Sequence, residues 1–259
     1  MEQRKLKRLY FDLETSPNIV WTYAIGYNIS INHGQIMQER AIVCACWKWE
    51  HEDVVHSITW TKGKDDKRII KAITPILDQA DEVVAHNGDR FDIKWLRTRA
   101  FLHRLPFPAY IKSIDTLKKA RGKFLFNSNR LDYISKVTGG HGKLDYGGQG
   151  TLNKIYLNND QEALSQYVEY CKVDVIELER IYKLMQPYIE PDTHVGVMKG
   201  NERYSCPQCG SVNLKRKGKR VSKSGTVRYR MNCKSCGYTY SIAPNVHKWY
   251  IEDKLDGKV

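Results

Sequence analysis

The 259 residues are 41% hydrophobic and 27% charged, the composition of a soluble chain with a core. No stretch approaches the ~20 apolar residues that span a bilayer, and the charged start, Met1 to Arg8, has no apolar run behind it. Neither a membrane span nor a secretory leader is therefore expected, and the expected location is cytoplasmic. The net charge of +13 is uneven: from Lys199 to Val259 there are 14 Lys/Arg against 4 Asp/Glu, while the rest of the chain is close to balance. A basic tail on a near-neutral body predicts a polyanionic partner, nucleic acid before others.

In chain order, Leu9 to Thr15 is an apolar run ending in acids, and Ser16-Pro17-Asn18 turns it. Trp21 to Arg40 reads as a loop or irregular hairpin. Ala41 to Trp49 is a β-rich run suited to a central strand, and Asp53 to Trp60 alternates as the next strand, so the first part predicts an antiparallel meander. Asp65 to Gln79 has helical spacing, Asp81 to His86 is a short buried strand, and Asp92 to His103 is amphipathic. Tyr110 to Asp115 predicts a short strand, with helices over Thr116 to Arg121 and Arg130 to Val137. Gly139 to Gly150 is glycine-rich and expected to be flexible, and Asp160 to Leu184 is the longest helical segment, closed by Pro187 and Pro191. Strands first, then helices alternating with short strands, predict an α/β domain with a mixed sheet. The boundaries expected are a domain over 1–190, a linker over 191–200 and a small module over 201–259.

Three separated places put an acid at the end of an ordered element. Asp12 and Glu14, two apart on a strand, share one face. Side-by-side carboxylates are costly to bury without a cation between them, so a divalent metal and a solvated strand end are both open readings. Asn87-Gly88-Asp89-Arg90-Phe91-Asp92 places an acid where a strand turns into a helix, and that acid also suits a helix N-terminus. Tyr170 and Asp174, four apart, share a face of the long helix.

In this order, these residues resemble the DEDD 3′–5′ exonuclease superfamily, DnaQ-like and of the tyrosine type, and are similar to the proofreading domains of family B DNA polymerases. Asp12-Leu13-Glu14 matches the first motif, Asn87 to Asp92 the second and Tyr170 to Asp174 the third. Ser113 to Leu117 and Arg130 to Ile134 are also typical of such domains. The resemblance covers about residues 7 to 186 and implies a ribonuclease H-like fold, a mixed five-stranded sheet flanked by helices. It implies a hydrolase that cleaves phosphodiester bonds with two Mg²⁺ or Mn²⁺ ions about 4 Å apart. Asp12, Glu14, Asp92 and Asp174 would hold the ions, and Tyr170 would orient the attacking water. Asn87 would contact the nucleic acid, with DNA favoured over RNA. Asp115 has no motif that demands it, and Asp89 competes with Asp92 for the second position. The resemblance does not extend to a polymerase domain and a free-standing nuclease is expected, so a proofreading role is not carried over. A structure-specific endonuclease or resolvase on the same fold, and a catalytically idle nucleic-acid-binding adaptor, are the alternatives. A replication or repair protein is a candidate partner, and oligomeric state is open.

Of the seven cysteines, Cys44, Cys46 and Cys171 read as small core residues. Cys206-Pro-Gln-Cys209-Gly and Cys233-Lys-Ser-Cys236-Gly are two knuckles separated by 23 residues. They predict one structural Zn²⁺ in a module similar to a zinc ribbon. Its hairpin carries Lys215, Arg216, Lys217, Lys219, Arg220, Lys223, Arg228 and Arg230. With Tyr229, Tyr238 and Tyr240 interleaved, it is expected to grip phosphates and stack on bases, the alternative being a ribbon that docks a protein.

Overall fold

The structure is a computed structural model that describes residues 5–23, 25–61, 64–140, 142 and 146–257. The chain divides into two compact units, Lys7–Tyr182 and Lys183–Val259, the second including Met1–Leu6.

The larger unit begins with β1 (Arg8–Thr15), followed by a small hairpin of β2 (Ile19–Val20) and β3 (Ile36–Gln38). β4 (Ile42–Trp49) and β5 (His56–Thr59) complete the meander. Then come α1 (Lys67–Gln79), β6 (Glu82–Ala85), α2 (Asp92–Leu102), β7 (Ser113–Asp115), α3 (Thr116–Lys123), α4 (Leu131–Val137), α5 (Gly148–Asn158) and α6 (Gln161–Met185). The main sheet has five strands in the order β5-β4-β1-β6-β7. β1 runs antiparallel to β4 and parallel to β6, so the sheet is mixed and β1 is central.

The period-two pattern of β1 decides what lies on either side of it. Leu9, Phe11 and Leu13 are buried in a cluster with Ile69, Ile70, Ile73 and Leu77 of α1 and Ile93, Leu96 and Ala100 of α2. Arg8, Tyr10, Asp12 and Glu14 occupy the opposite face, under α6. Helix α6 runs antiparallel to the strand: Tyr182 packs on Tyr10, Cys171 meets Asp12, and Tyr167 meets Glu14. The buried Arg8 is neutralised by Glu82 at 2.7 Å and Glu50 at 2.6 Å. Lys48 of β4 pairs with Glu179 of α6 on the same face. Asp66, fully buried, accepts from the Ile42 amide at 2.9 Å and from the Arg99 fork, tying α1 to β4 and α2. No helix among the described residues is long and apolar enough to cross a membrane.

Two features differ from expectation. The glycine-rich stretch is not loop throughout, because α5 begins at Gly148 and buries Ile155 and Tyr156. Gly147 and Gly148, at φ 80° and 59°, turn the chain into that helix. The segment expected as a linker contains α7 (Val195–Met198), whose Val195 amide donates to the Pro207 carbonyl at 2.9 Å.

The smaller unit is built on β8 (Leu214–Val221), β9 (Val227–Cys233) and β10 (Thr239–Ile242), antiparallel in the order β10-β9-β8. α8 (Pro244–Leu255) starts on a proline, which suits the first helical turn, and adds Val246 and Tyr250 to a core of Tyr204, Leu214, Met231 and Ile242.

Candidate active site

β1 and β6 are parallel neighbours whose ladder runs Arg8–Glu82, Leu9–Val83 and Tyr10–Val84 and then stops. Beyond Tyr10 the two strands part at their carboxyl ends, the place where open α/β sheets make a crevice for ligands. The parting leaves the Leu13 amide without a strand partner on that side, and Asp92 Oδ1 accepts it at 3.1 Å. Asp92 is brought there by the turn after β6. Asn87 adopts φ 68°, and Gly88 lies so close to the strand that a Cβ would stand 2.5 Å from that of Ala85. Phe91 then leads into α2 with Asp92 as its first residue.

On the α6 face of the crevice, Asp12, Glu14 and Asp174 offer carboxylate oxygens that all lie within 4.8 Å of one another. Two come from one strand face and the third from the helix across it. Asp12 and Glu14 are partly exposed and Asp174 is 4% exposed. Asp92, at 2% exposure, is not one of the three whose oxygens converge; it is tied to the strand through the Leu13 amide and feels the Glu14 charge. Burial pushes its carboxyl up to about 7, and the Glu14 and Asp115 charges push the same way, against the opposing pull of its own amide and that of Leu13. Close carboxylates of this kind are oxygen donors suited to hard divalent cations, so these residues fit the metal that the motifs imply.

Tyr170 lies one turn before Asp174, 6% exposed, within a cluster of rings. It stacks on Tyr167 at 6.0 Å and meets Tyr146 edge-on at 4.9 Å. Tyr167, which the motifs do not single out, donates its hydroxyl to Glu14 Oε2 at 2.6 Å. Its spacing of three from Tyr170 and seven from Asp174 is the helical signal that marks it. Burial, then the Glu14 charge, raises the Tyr167 phenol, which keeps it a donor.

The two uncertain acids have local roles. Asp89 is ion-paired with Lys118, which leaves Asp92 as the acid of the second motif that faces β1. Asp115 caps α3, its Oδ1 accepting from the amides of Asn87, Leu117 and Lys118. Asn87 lines a cavity of about 650 Å³ with His86, Arg121, Asn129, Arg130 and Leu131. The His86 ring is held between Thr116 Oγ1 and the Asn129 carbonyl, both at 2.9 Å.

Residues 9–186 match a family model, RNase_H_2, described as RNase_H superfamily. The chain belongs to the RNase H superfamily. Among solved structures, it is similar to the family B DNA polymerase of the hyperthermophilic archaeon Pyrobaculum calidifontis, with 16% identity and a TM-score of 0.54. That similarity covers 76% of this chain and 26% of the polymerase, and at this identity it speaks for the fold alone. No curated protein matches the sequence.

The cysteine knuckles lie beyond the part matched to the RNase H superfamily. Their four sulfurs converge: Cys206 and Cys236 are 3.6 Å apart, as are Cys209 and Cys233, and all four lie within 4.8 Å. A tetrahedron with metal–sulfur bonds of ~2.3 Å has edges of about 3.8 Å, so the quartet fits a closed metal site. Gly210 and Gly237, at φ 82° and 78°, make the knuckle turns that the sequence predicts. Burial raises the Cys233 thiol, but the amides of Cys236 and Ser235 together with hydrogen bonds to the Cys209 and Cys236 sulfurs bring it down to about 7.

On the hairpin, Lys215, Arg216, Lys217, Lys219 and Arg220 of β8 and Arg228 of β9 are exposed, as is Lys223 in the turn, and Arg230 is half-buried. Arg220 stands directly opposite Arg228 in the ladder. The three tyrosines differ from expectation, since each packs against the small unit's own core. His247 lies on the Tyr229 ring at 3.9 Å, Tyr240 donates to the Tyr204 carbonyl, and Tyr238 stacks on Tyr240. A small unit has few apolar groups, so its aromatics are drawn into the core.

Proposed function

We propose that this chain is a metal-dependent 3′–5′ exonuclease that hydrolyses DNA. The observation that carries the reading is the convergence of Asp12, Glu14 and Asp174 within 4.8 Å, with Asp92 held beside them by the Leu13 amide. Membership of the RNase H superfamily and the likeness to a polymerase fold support nuclease chemistry in general. The 3′ direction rests on the order of the three motifs and on the tyrosine of the third.

Asp12, Glu14, Asp92 and Asp174 would hold two Mg²⁺ or Mn²⁺ ions. Bound there, such ions neutralise charge at phosphorus and activate a water. Asp12 and Glu14, fixed on the central strand, set the floor of the site. Tyr170 orients the water through its hydroxyl, because a phenol with an ordinary pKa near ~10 is a poor base at neutral pH. The cavity beside Asn87, with Arg121, Arg130 and the amides of Asn127 and Asn129, has the polarity to receive a phosphodiester strand.

The cysteine quartet would hold one structural Zn²⁺, with the basic hairpin gripping phosphates. Like charges directly opposite in a ladder are destabilising, so the Arg220–Arg228 pair favours a polyanion between them. Base stacking by the ribbon tyrosines is not part of the reading.

The test is digestion of end-labelled single strands with Mg²⁺. Mononucleotides should be released from the 3′ end, a blocked 3′ end should stall the enzyme, and Asp12→Ala and Asp174→Ala should abolish release while DNA binding persists. Full activity in either variant would sink the assignment, and internal cuts in blocked substrates would make the protein an endonuclease.

A further inference from the structure

Cys44, Cys46 and Cys171 are each 0% exposed and their sulfurs lie within 4.8 Å of one another. Their place in the fold is more specific than that of small core residues. Cys46 stands opposite Asp12 in the β1–β4 ladder and Cys44 opposite Glu14, so both thiols lie on the face that carries the acids. Cys171 comes down from α6 three residues before Asp174, and its Sγ is 3.6 Å from Asp12 Oδ2. Asp12 therefore belongs to two clusters at once, three carboxylates on one side and three thiols on the other.

We propose that Cys44, Cys46 and Cys171 form a second metal site, for a soft cation, that shares Asp12 with the acidic cluster. Thiolates select soft or borderline ions such as Cd²⁺ and Zn²⁺, whereas carboxylates alone are the donors that suit Mg²⁺. Three sulfurs and one carboxylate oxygen make the four-coordinate set such ions adopt. Bonds of ~2.3–2.5 Å need sulfurs about 4 Å apart, which lies inside the 4.8 Å that bounds the trio. Each thiol that binds gives its proton to water. The partly exposed Asp12 and Glu14 give the entry side, since the thiols themselves are sealed. Drawing Asp12 toward sulfur withdraws it from the hard-cation cluster, so occupation by a soft ion switches cleavage off. This consequence rests on the proposed nuclease reading, whereas the binding of the ion does not.

The test uses the full chain, reduced and stripped of metal, titrated with Cd²⁺. Thiolate-to-cadmium charge-transfer absorption follows sulfur-bound ions, and elemental analysis after desalting counts them. Wild type should bind two sulfur-bound Cd²⁺ per chain, one of them in the Cys206 quartet. Cys46→Ala and Cys44→Ala, checked for fold by circular dichroism, should each bind one. One sulfur-bound Cd²⁺ in the wild type would overturn the proposal, and so would two in both variants. In the cleavage assay with excess Mg²⁺, Cd²⁺ at the second equivalent should inhibit wild type at least tenfold and leave Cys46→Ala active. If Cd²⁺ binds twice and no cleavage is seen under any condition, the nuclease reading fails while the site stands.

Discussion

The Tyr167 hydroxyl donates to Glu14 Oε2 at 2.6 Å, so a phenol on α6 holds a carboxylate on β1 in place. A partner of this kind fixes which way the carboxylate faces, and such partners are typically worth ten- to a hundred-fold in metal affinity. Tyr167→Phe should raise the Mg²⁺ concentration for half-maximal cleavage about tenfold and leave the rate at saturating Mg²⁺ little changed. Tyr170→Phe should do the reverse, lowering the saturated rate. Titrating Mg²⁺ against initial rate for both variants separates the two roles, and the opposite pattern would exchange them.

Asp92 sets a pH dependence in the metal-free protein. Its folded pKa of about 7 lies above its ordinary carboxylate value, so between the two the folded state binds more protons than the unfolded state. This group's contribution is fully present below its ordinary carboxylate value and is lost as pH rises to about 7. Thermal melts in chelator from pH 5 to 8 should show wild type losing stability relative to Asp92→Asn, which has no charge to bury. Saturating Mg²⁺ should remove the difference in slope.

Arg8 and Glu82 give a prediction about the scaffold. Glu82 is 1% exposed, and the Arg8 guanidinium neutralises it at 2.7 Å. Arg8→Ala should destabilise the larger unit by about 3–5 kcal/mol, because it leaves an uncompensated buried carboxylate. Replacing Arg8 and Glu82 together by Met and Leu should recover most of that loss in urea denaturation. A single variant as stable as wild type would show that water reaches Glu82.

In the smaller unit, chelation should act locally. Cys206, Cys209, Cys233 and Cys236 gather strands whose core is a handful of side chains, and small domains with bound metal draw much of their folding energy from it. Cys233→Ser or strong chelation should abolish amide-exchange protection over β8 to β10 while β1 and β4 stay protected. Protection that survives the loss of metal would mean that the hydrophobic cluster alone suffices.

α1 and α6 are legible because burial on one face writes itself into spacing, and β1 and β4 because central strands buried on both faces read as apolar runs. The acids were legible for another reason: the motifs that the chain resembles carry acids at fixed places along the chain. α5 was hidden because its first turn is glycine, and its anchors Ile155 and Tyr156 follow a stretch that reads as a loop. α8 was hidden because Val246 and Tyr250 are buried while Trp249, Ile251 and Leu255 are exposed, so its apolar residues do not trace a single face. Tyr167 could have been found from helical spacing, but which of two stacked tyrosines reaches Glu14 depends on the angle between α6 and β1. The thiol trio required strand register, since Cys46 meets Asp12 only once β4 is aligned.

The bond from the Leu13 amide to Asp92 has a consequence for descent. The side chain at 92 serves the backbone of the central strand as well as the acidic cluster. A lineage that abandoned cleavage and kept the fold would be free to exchange Glu14 or Asp174 for residues of other chemistry. At 92 it would be confined to Asp or Asn, whose oxygen still accepts from that amide. Among inactive descendants, position 92 should thus be the last of the four to drift, and its presence alone would be a poor sign that a relative still cuts.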